Sequence, residues 1–448
     1  MAAVVTSRMM ADIIKPNLLR GFRDFLPATE LTRNNIQNTL AKVFRGFGFV
    51  PIDTPALEYA EILLGKGGGE TDKQIYRFQD HGQRDVALRF DLTVPFARFM
   101  AKHYHRLPLP FKRYHMGKVW RGENTQRGRY REFTQIDFDI VGVDSASSDF
   151  EILMLMQKAF VSLGVNEFKI HFFHRGVLNA YLKELGLEED GPESRKILRA
   201  IDKIKKIGPE KVTGLLEEFL DNDKARAVMH FIEGKDSNAE TLTAIGRALD
   251  PSSAAYLRLT EIVRCINDCG LDDFFVLDPS ITRGLDYYTG VVYETFLSGC
   301  MEIGSVCSGG RYNELASLYT KESLPGVGSS IGLDRLISAL EELGLLKEEA
   351  CGPDLIILML DEPLLGRYHR LADTLRAAGL SVEVYPARKK LAHQFNYAAK
   401  RDIPLALIMG ETELEAGTMT LKDLTARKNY EQLTLATLID TAKELLRS

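Results

Sequence analysis

Apolar residues recur at helical spacing through "TELTRNNIQNTLAKVFRGF" (29–47). Ile36, Leu40, Val43 and Phe47 form one stripe, which the glycines Gly46 and Gly48 end. The next segment, "FVPIDTPALEYAEILLGKGGGET", holds two prolines and a run of three glycines, so an extended stretch leading into a loop is expected. In "VALRFDLTVPFARFM" a strand pattern gives way to a helical one at Thr93 and Pro95, an N-cap type of residue and an early helical proline. Residues 111–142 read as two extended runs around the polar loop "GENTQRG". In the second run, period two puts Ile136, Phe138 and Ile140 on a buried face and Gln135, Asp137 and Asp139 on the opposite one. A helix over 149–163 follows, capped by Asp149 and ended by Gly164.

The pattern then changes twice. Residues 182–272 are charged and helical in period, without strong strand signals, and read as a helical insertion within a larger domain. From 353 onward, "LIILML", "SVEVYP", "LALIMG" and "TMTLKDL" are short strands separated by helical stretches, as in a compact α/β module. The architecture expected is an α+β domain over 1–345, an antiparallel sheet with helices packed on it, interrupted by the insertion. A separate α/β domain is expected over 353–448.

Composition narrows the class. A chain of 448 residues, 45% hydrophobic and 27% charged, fits a soluble protein of two or three domains. Charged residues interrupt the N-terminal stretch, so no signal peptide is read, and "LIILML" is far too short to cross a bilayer. A cytoplasmic protein with no membrane association is the expectation. The five cysteines read as free thiols; Cys265 and Cys269 share a helix but lack the companions of a metal set, so no protein metal ligands are assigned. A net charge of −5 argues against gripping nucleic acid by bulk charge, yet leaves room for a local basic surface.

Chemistry-bearing residues gather in four segments. "RFDLT" supplies Asp91 and Thr93, and "WRGENTQRGRYREFTQIDFD" supplies Arg121, Glu123, Arg131, Gln135 and Asp139. "TRGLDYYTG" supplies Arg283, Tyr287 and Tyr288, while "CSGGRYNEL" with "GVGSSIGLDRL" supplies Tyr312 and Arg335. Arginine forks suit phosphate oxygens, and carboxylates with tyrosine hydroxyls and an amide suit a small cationic ligand. Read alone, "TRGLDYYTG" is equally a surface hairpin whose tyrosines cap an aromatic cluster.

Taken together, these segments resemble the class II aminoacyl-tRNA synthetases, and within them the histidyl-tRNA synthetase family. Arg121 with the loop and "RGRYREF" is similar to the second class motif, and "GVGSSIGLDRL" to the third. "RGLDYYTG" and "SGGRYNEL" are similar to the histidine-specific signatures, and "IDKIKKIG" to an element of the insertion. Asp91 and Asp139 stand where some members carry glutamate, and Asn313 where aspartate is frequent.

The resemblance implies roles. Arg121 would hold the α-phosphate of ATP, Glu123 the adenine amino group, and Phe133 would stack on adenine, with Arg131 part of the same motif. Arg335 would cover the other adenine face and reach the γ-phosphate, and Arg283 would approach the α-phosphate. Asp91, Thr93, Gln135 and Asp139 would bind histidine, with Tyr287, Tyr288 and Tyr312 in its pocket. Gln126 would face the acceptor end of tRNA, and Mg²⁺ would accompany ATP. Segment 43–64 is similar to the first class motif, which implies a homodimer.

The C-terminal module would bind the anticodon. There Arg388, Lys389 and Lys390 in "YPARKKLAHQFNYAAKR" interleave with Phe395 and Tyr397, a pattern suited to phosphates and unpaired bases or, on composition alone, to a solvated helix face. Two other readings share the scaffold: a synthetase-like regulatory subunit of ATP phosphoribosyltransferase, and a tRNA-sensing regulatory domain.

Overall fold

A computed structural model describes residues 14–65, 74–188, 191–282, 288–346 and 351–447. The chain divides into two units, residues 1–24 with 33–346, and residues 25–32 with 347–448.

An eight-stranded sheet organises the first unit. Its strands are β1 (Val50–Pro51), β5 (Phe111–Trp120), β6 (Glu132–Val141), β7 (Phe168–His174), β8 (Phe275–Leu277), β9 (Val291–Leu297), β10 (Cys307–Arg311) and β11 (Gly326–Gly332), in the order β1-β5-β6-β11-β10-β9-β7-β8. The six inner strands are antiparallel, as the sequence led us to expect. Both edge strands, however, run parallel to their neighbours. Long intervening segments permit that direction, which a tight hairpin forbids. A small sheet, β2-β4-β3, is built from β2 (Leu57–Tyr59), β3 (Arg77–Gln79) and β4 (Asp85–Leu88).

One face of the large sheet is apolar core. Helix α1 (Pro27–Gly46) buries Ile36, Leu40 and Phe44, and Phe44 lies against Tyr114 and Phe138 with ring centroids 5.5 and 4.9 Å apart. The stripe passes through Phe44, while Val43 and Phe47 are only half-buried beside it. Helix α4 (Ala146–Ser162) adds Ile152, Leu153, Met156 and Phe160 to the same core. Its cap differs from expectation: the Ser145 side chain accepts from Ser148 N, and Asp149 lies inside the helix. There Asp149 is buried between Arg311 and Arg258. Gly164 follows the helix with φ +77°, a left-handed conformation that favours glycine.

Short helix α2 (Ala60–Leu64) precedes α3 (Thr93–His103). Thr93 is the first helical residue rather than the cap; the Asp91 carboxylate accepts from Val94 N at 3.1 Å instead. The helical stretch expected at 182–272 begins earlier, at α5 (Arg175–Glu184). It continues through α6 (Pro192–Ile201), α7 (Ile204–Ile207), α8 (Pro209–Glu217), α9 (Asn222–Phe231), α10 (Asn238–Ala248) and α11 (Ala254–Asp268). Helix α12 (Leu333–Glu342) follows β11 directly.

The second unit carries β12 (Leu355–Ile357), β13 (Val382–Val384), β14 (Leu405–Ile408), β15 (Met419–Asp423) and β16 (Lys428–Leu433), in the order β13-β12-β14-β15-β16. Its helices are α13 (Leu365–Ala377), α14 (Leu391–Lys400), α15 (Glu411–Ala416) and α16 (Leu435–Leu445). Leu355, Ile357, Tyr368, Leu375, Leu407 and Leu438 form its main core, and Ile356, Leu358, Ala398 and Ala406 a second one.

Candidate active site

The second face of the large sheet is also buried, but it is polar. Because cross-strand partners share a face, register lines up Arg113, Asp139, Gly328 and Gly310 in one row. The next row holds His115, Asp137, Ser330 and Ser308, and a third holds Gly117, Gln135 and Gly332. Gln135, Asp137 and Asp139 are 8%, 1% and 2% exposed, so the face opposite the apolar core is a covered cleft rather than solvent.

Among the described residues, Gln135 and Asp137 each have one bonded end and one bare end. Gln135 Nε2 donates to Ser330 Oγ at 2.7 Å while its Oε1 has no partner. Asp139 Oδ1 accepts from the Tyr312 hydroxyl. Its Oδ2 lies 2.7 Å from Arg113 Nη2 in an ion pair. Thr93 Oγ1 donates to Asp137 Oδ2 at 3.4 Å, and Asp137 Oδ1 has no partner. Burial pushes Asp91 up to about 6, against the opposing Val94 amide and the nearby Arg121 and Arg113. Burial pushes Asp137 up to about 7 despite Arg113, and raises Asp139 as well. His115 is driven the other way, down to about 3, by burial and by Arg113 and Arg89.

Glycines give the cleft its room. A Cβ on Gly328 would lie 1.9 Å from Asp139 Oδ1, one on Gly326 2.4 Å from Tyr312 Cε2, and one on Gly310 2.7 Å from Tyr288 Cδ1. Tyr288 and Tyr312 share a small buried cluster with Ala97, Ile281, Val292 and Leu315. The structure therefore brings Asp91, Thr93, Gln135, Asp139, Tyr288 and Tyr312 to one place. Arg283 and Tyr287 lie outside the described residues. The residues on either side of that gap are anchored to the helical insertion: Thr282 Oγ1 donates to Leu198 O in α6, and Arg175 Nη1 at the start of α5 donates to Tyr288 O, both at 3.0 Å. From "IDKIKKIG", Lys205 reaches Asp278 Oδ2 at 2.9 Å and lies over the Phe296 ring at 4.5 Å.

Main-chain carbonyls hold the arginines of the second and third motifs. Arg121 Nε donates to Phe90 O at 2.9 Å, and its guanidinium carbon lies 5.1 Å from the Phe133 ring centre. Arg131 Nε donates to Glu123 O at 3.3 Å, and Glu123 Oε2 lies 3.8 Å from Arg129. Gln126 is exposed in that loop and pairs through its backbone with Arg129. Arg335 Nη1 donates to Ser305 O at 2.7 Å. Its neighbour Asp334 is buried, ion-paired to Arg23 and Arg33, and accepts from Thr134 N in β6, which fixes the start of α12 against the cleft strand.

Sequence reading missed Asp137, Arg113 and Asp334. For Asp137 the signal was present, since it has the same strand parity as Gln135 and Asp139. Arg113 could be found only through β5–β6 register, and Asp334 only through partners some 300 residues away.

In the second unit Arg388, Lys389 and Lys390 are exposed at the entry to α14. Buried Gln394 pins this entry by bonding Met359 N and O at 2.9 and 2.8 Å and Lys389 O at 2.8 Å. Phe395 and Tyr397 are half-buried against the second core, so they support the basic segment as packing residues rather than as open platforms. Among the described residues no helix is long and apolar enough to cross a membrane.

Comparison with known proteins adds the remaining facts. A family model described as Histidyl-tRNA synthetase matches residues 21–336, and one described as Anticodon binding domain matches 354–445. A protein of Treponema denticola named Histidine--tRNA ligase is 50% identical over 436 residues, 94% of this chain and 97% of that protein. One of Rhodopirellula baltica with the same name is 45% identical over 94% of this chain and 96% of its own length. The crystal structure of histidyl-tRNA synthetase from a Nostoc species superposes with a TM-score of 0.85 at 32% identity, covering 96% of this chain and all of that one. A Bacillus halodurans structure titled an ATP phosphoribosyltransferase regulatory subunit/histidyl-tRNA synthetase shares the fold at 24% identity, with a TM-score of 0.72 over 86% of this chain and 97% of that one.

Proposed function

The chain belongs to the histidyl-tRNA synthetase family, and from that premise we infer that the polar face of its large sheet is where L-histidine and ATP meet. The chain is a class II aminoacyl-tRNA synthetase. It activates L-histidine with ATP to histidyl-adenylate and pyrophosphate, then transfers the histidyl group to the 3′ end of its tRNA. The regulatory-subunit alternative is not favoured, because ligases match this chain at 45–50% identity over nearly its whole length.

The observation that carries the site assignment is the line of buried acceptors on β6, bare on one side and closed by Tyr312 on another. Asp91, Thr93, Gln135 and Asp139 bind the histidine amino group and imidazole, with Tyr287, Tyr288 and Tyr312 completing the side-chain pocket. Arg121 takes the α-phosphate and Arg283 approaches it from the signature segment. Glu123 holds the adenine amino group, with Arg131 in the same motif; Phe133 stacks on the ring, and Arg335 covers its other face and reaches the γ-phosphate. The histidine carboxylate attacks the α-phosphorus in line and pyrophosphate departs. Catalysis is then positioning and charge stabilisation rather than covalent help.

Mg²⁺ neutralises phosphate charge when bound. It would be held chiefly by the phosphates. Gln126 faces the acceptor end of tRNA, and Arg388, Lys389 and Lys390 contact the anticodon arm. A homodimer in the cytoplasm completes the reading; segment 43–64, with its exposed Val50, Leu57 and Tyr59, supports the dimer.

The test is histidine-dependent exchange of pyrophosphate into ATP, with other amino acids as controls. A pocket of buried polar groups discriminates by ~10⁴ or more against side chains that leave them unpaired. Equal exchange with leucine or phenylalanine would remove the histidine assignment. Arg283→Ala should slow the reaction by ~100-fold or more, the scale for one preorganised charge stabiliser.

A further inference from the structure

Asp137 is the residue of the cleft that the family-derived roles leave without a task. It sits between Gln135 and Asp139 on the same face of β6 and is 1% exposed. Arg113 and His115 face it from β5, Ser330 from β11, and Asp91 and Thr93 from the start of α3, with the charge of Arg89 nearby.

Buried acceptors are almost always paired, so an orphan calls for a donor that arrives later. Here, among the described residues, two stand on neighbouring rows: Gln135 Oε1 and Asp137 Oδ1. Asp139 already has a cation in Arg113, whose guanidinium also rests on the Phe96 ring at 4.0 Å. Among the described residues Asp137 has no ion pair, and burial outweighs the pull of Arg113 on it. The open Asp137 acceptor therefore suits a ligand that brings a positive charge and N–H donors. A primary ammonium supplies both, as three donors on a compact cation.

We infer that Asp137 is a third carboxylate of the amino-acid pocket, receiving the α-ammonium of histidine on Oδ1 beside Thr93. This rests on the reading of the cleft as the histidine site. It also gives the short Asp91 a partner in holding the ammonium, where a longer side chain could do so alone.

Two ligands separate the idea from general damage to the pocket. Histidinol keeps the ammonium and lacks the carboxylate; 3-(imidazol-4-yl)propionate lacks the ammonium. In the full-length protein, Asp137→Asn should raise the KM for histidine in pyrophosphate exchange by roughly 10-fold or more, the scale of a charge-assisted hydrogen bond. It should leave the KM for ATP little changed. Histidinol binding should weaken by the same factor and imidazolylpropionate binding should not. Equal weakening of both ligands, or unchanged histidinol binding, would overturn the assignment. If the asparagine variant fails to melt cooperatively, Asp137→Ser removes the carboxylate within the same volume and is held to the same outcomes. Failure of the cleft reading itself looks different: the unaltered protein would show no histidine-dependent exchange.

Discussion

The cleft on the large sheet and the basic segment before α14 both concentrate charge, and they do so in opposite ways. In the cleft, Arg113 is fully buried, Asp137 and Asp139 nearly so, and each is fixed by strand register. At 388–390 the three cations are exposed on a short lead-in whose backbone alone is pinned by Gln394. Buried charges interact strongly and only with what fits between them. Exposed ones act weakly through screening water and gain by displacing counterions from a polyanion. The first arrangement can recognise one small molecule; the second can hold a long one without reading it closely.

The sharpest way to break this contrast is Asp139→Asn. It deprives buried Arg113 of its ion partner and the ligand of an acceptor, so histidine-dependent exchange should drop by ~100-fold or more and the melting temperature should fall. Exchange within about threefold of normal would mean that buried charge in the cleft does not act by position. A smaller effect is expected from Lys389→Ala combined with Lys390→Ala. The KM for tRNA should rise by ~3- to 10-fold, and the salt slope of tRNA binding should shrink by about one per lysine that contacts a phosphate. Histidine and ATP exchange should stay at the normal rate. A slope unchanged by the double substitution would return the segment to a solvated helix face.

The smallest effect concerns pH. Asp91 and Asp137 have folded-state values raised to about 6 and about 7, above the unfolded range near 3.8. Between those limits the folded chain binds more protons than the unfolded one, so their contribution to stability is present at low pH and is lost as pH rises towards 7. Without ligand, the melting temperature should be lowered by these groups by a few degrees on going from pH 5 to pH 8, and Asp137→Asn should flatten that slope. A slope unaffected by the substitution would place the titration elsewhere.

Much of this was written plainly in the chain. The α1 stripe, the β5–β6 hairpin and the α/β character of the second unit follow from periodicity and turn residues. What escaped depended on distant partners. Asp149 looked like a helix cap because its ion-pair companions, Arg258 and Arg311, lie 109 and 162 residues away. Period two along 133–140 separated two faces correctly, but it could not tell that the polar one is covered. The β16 strand is a polar edge strand, largely exposed, so it carries no apolar alternation to read. Thr93 resembled a cap in type, whereas the oxygen that serves Val94 N comes from Asp91, two positions earlier.

Gly310, Gly326 and Gly328 leave open the space that Tyr288, Tyr312 and Asp139 occupy. Every single-base change within a glycine codon that is not silent encodes a larger residue or a stop. Mutation therefore has no gradual approach to these three positions: each first step sets a side chain against an aromatic ring or a carboxylate. Change in the cleft must begin with the residues that use the space, and the glycines can follow only after one of those has become smaller.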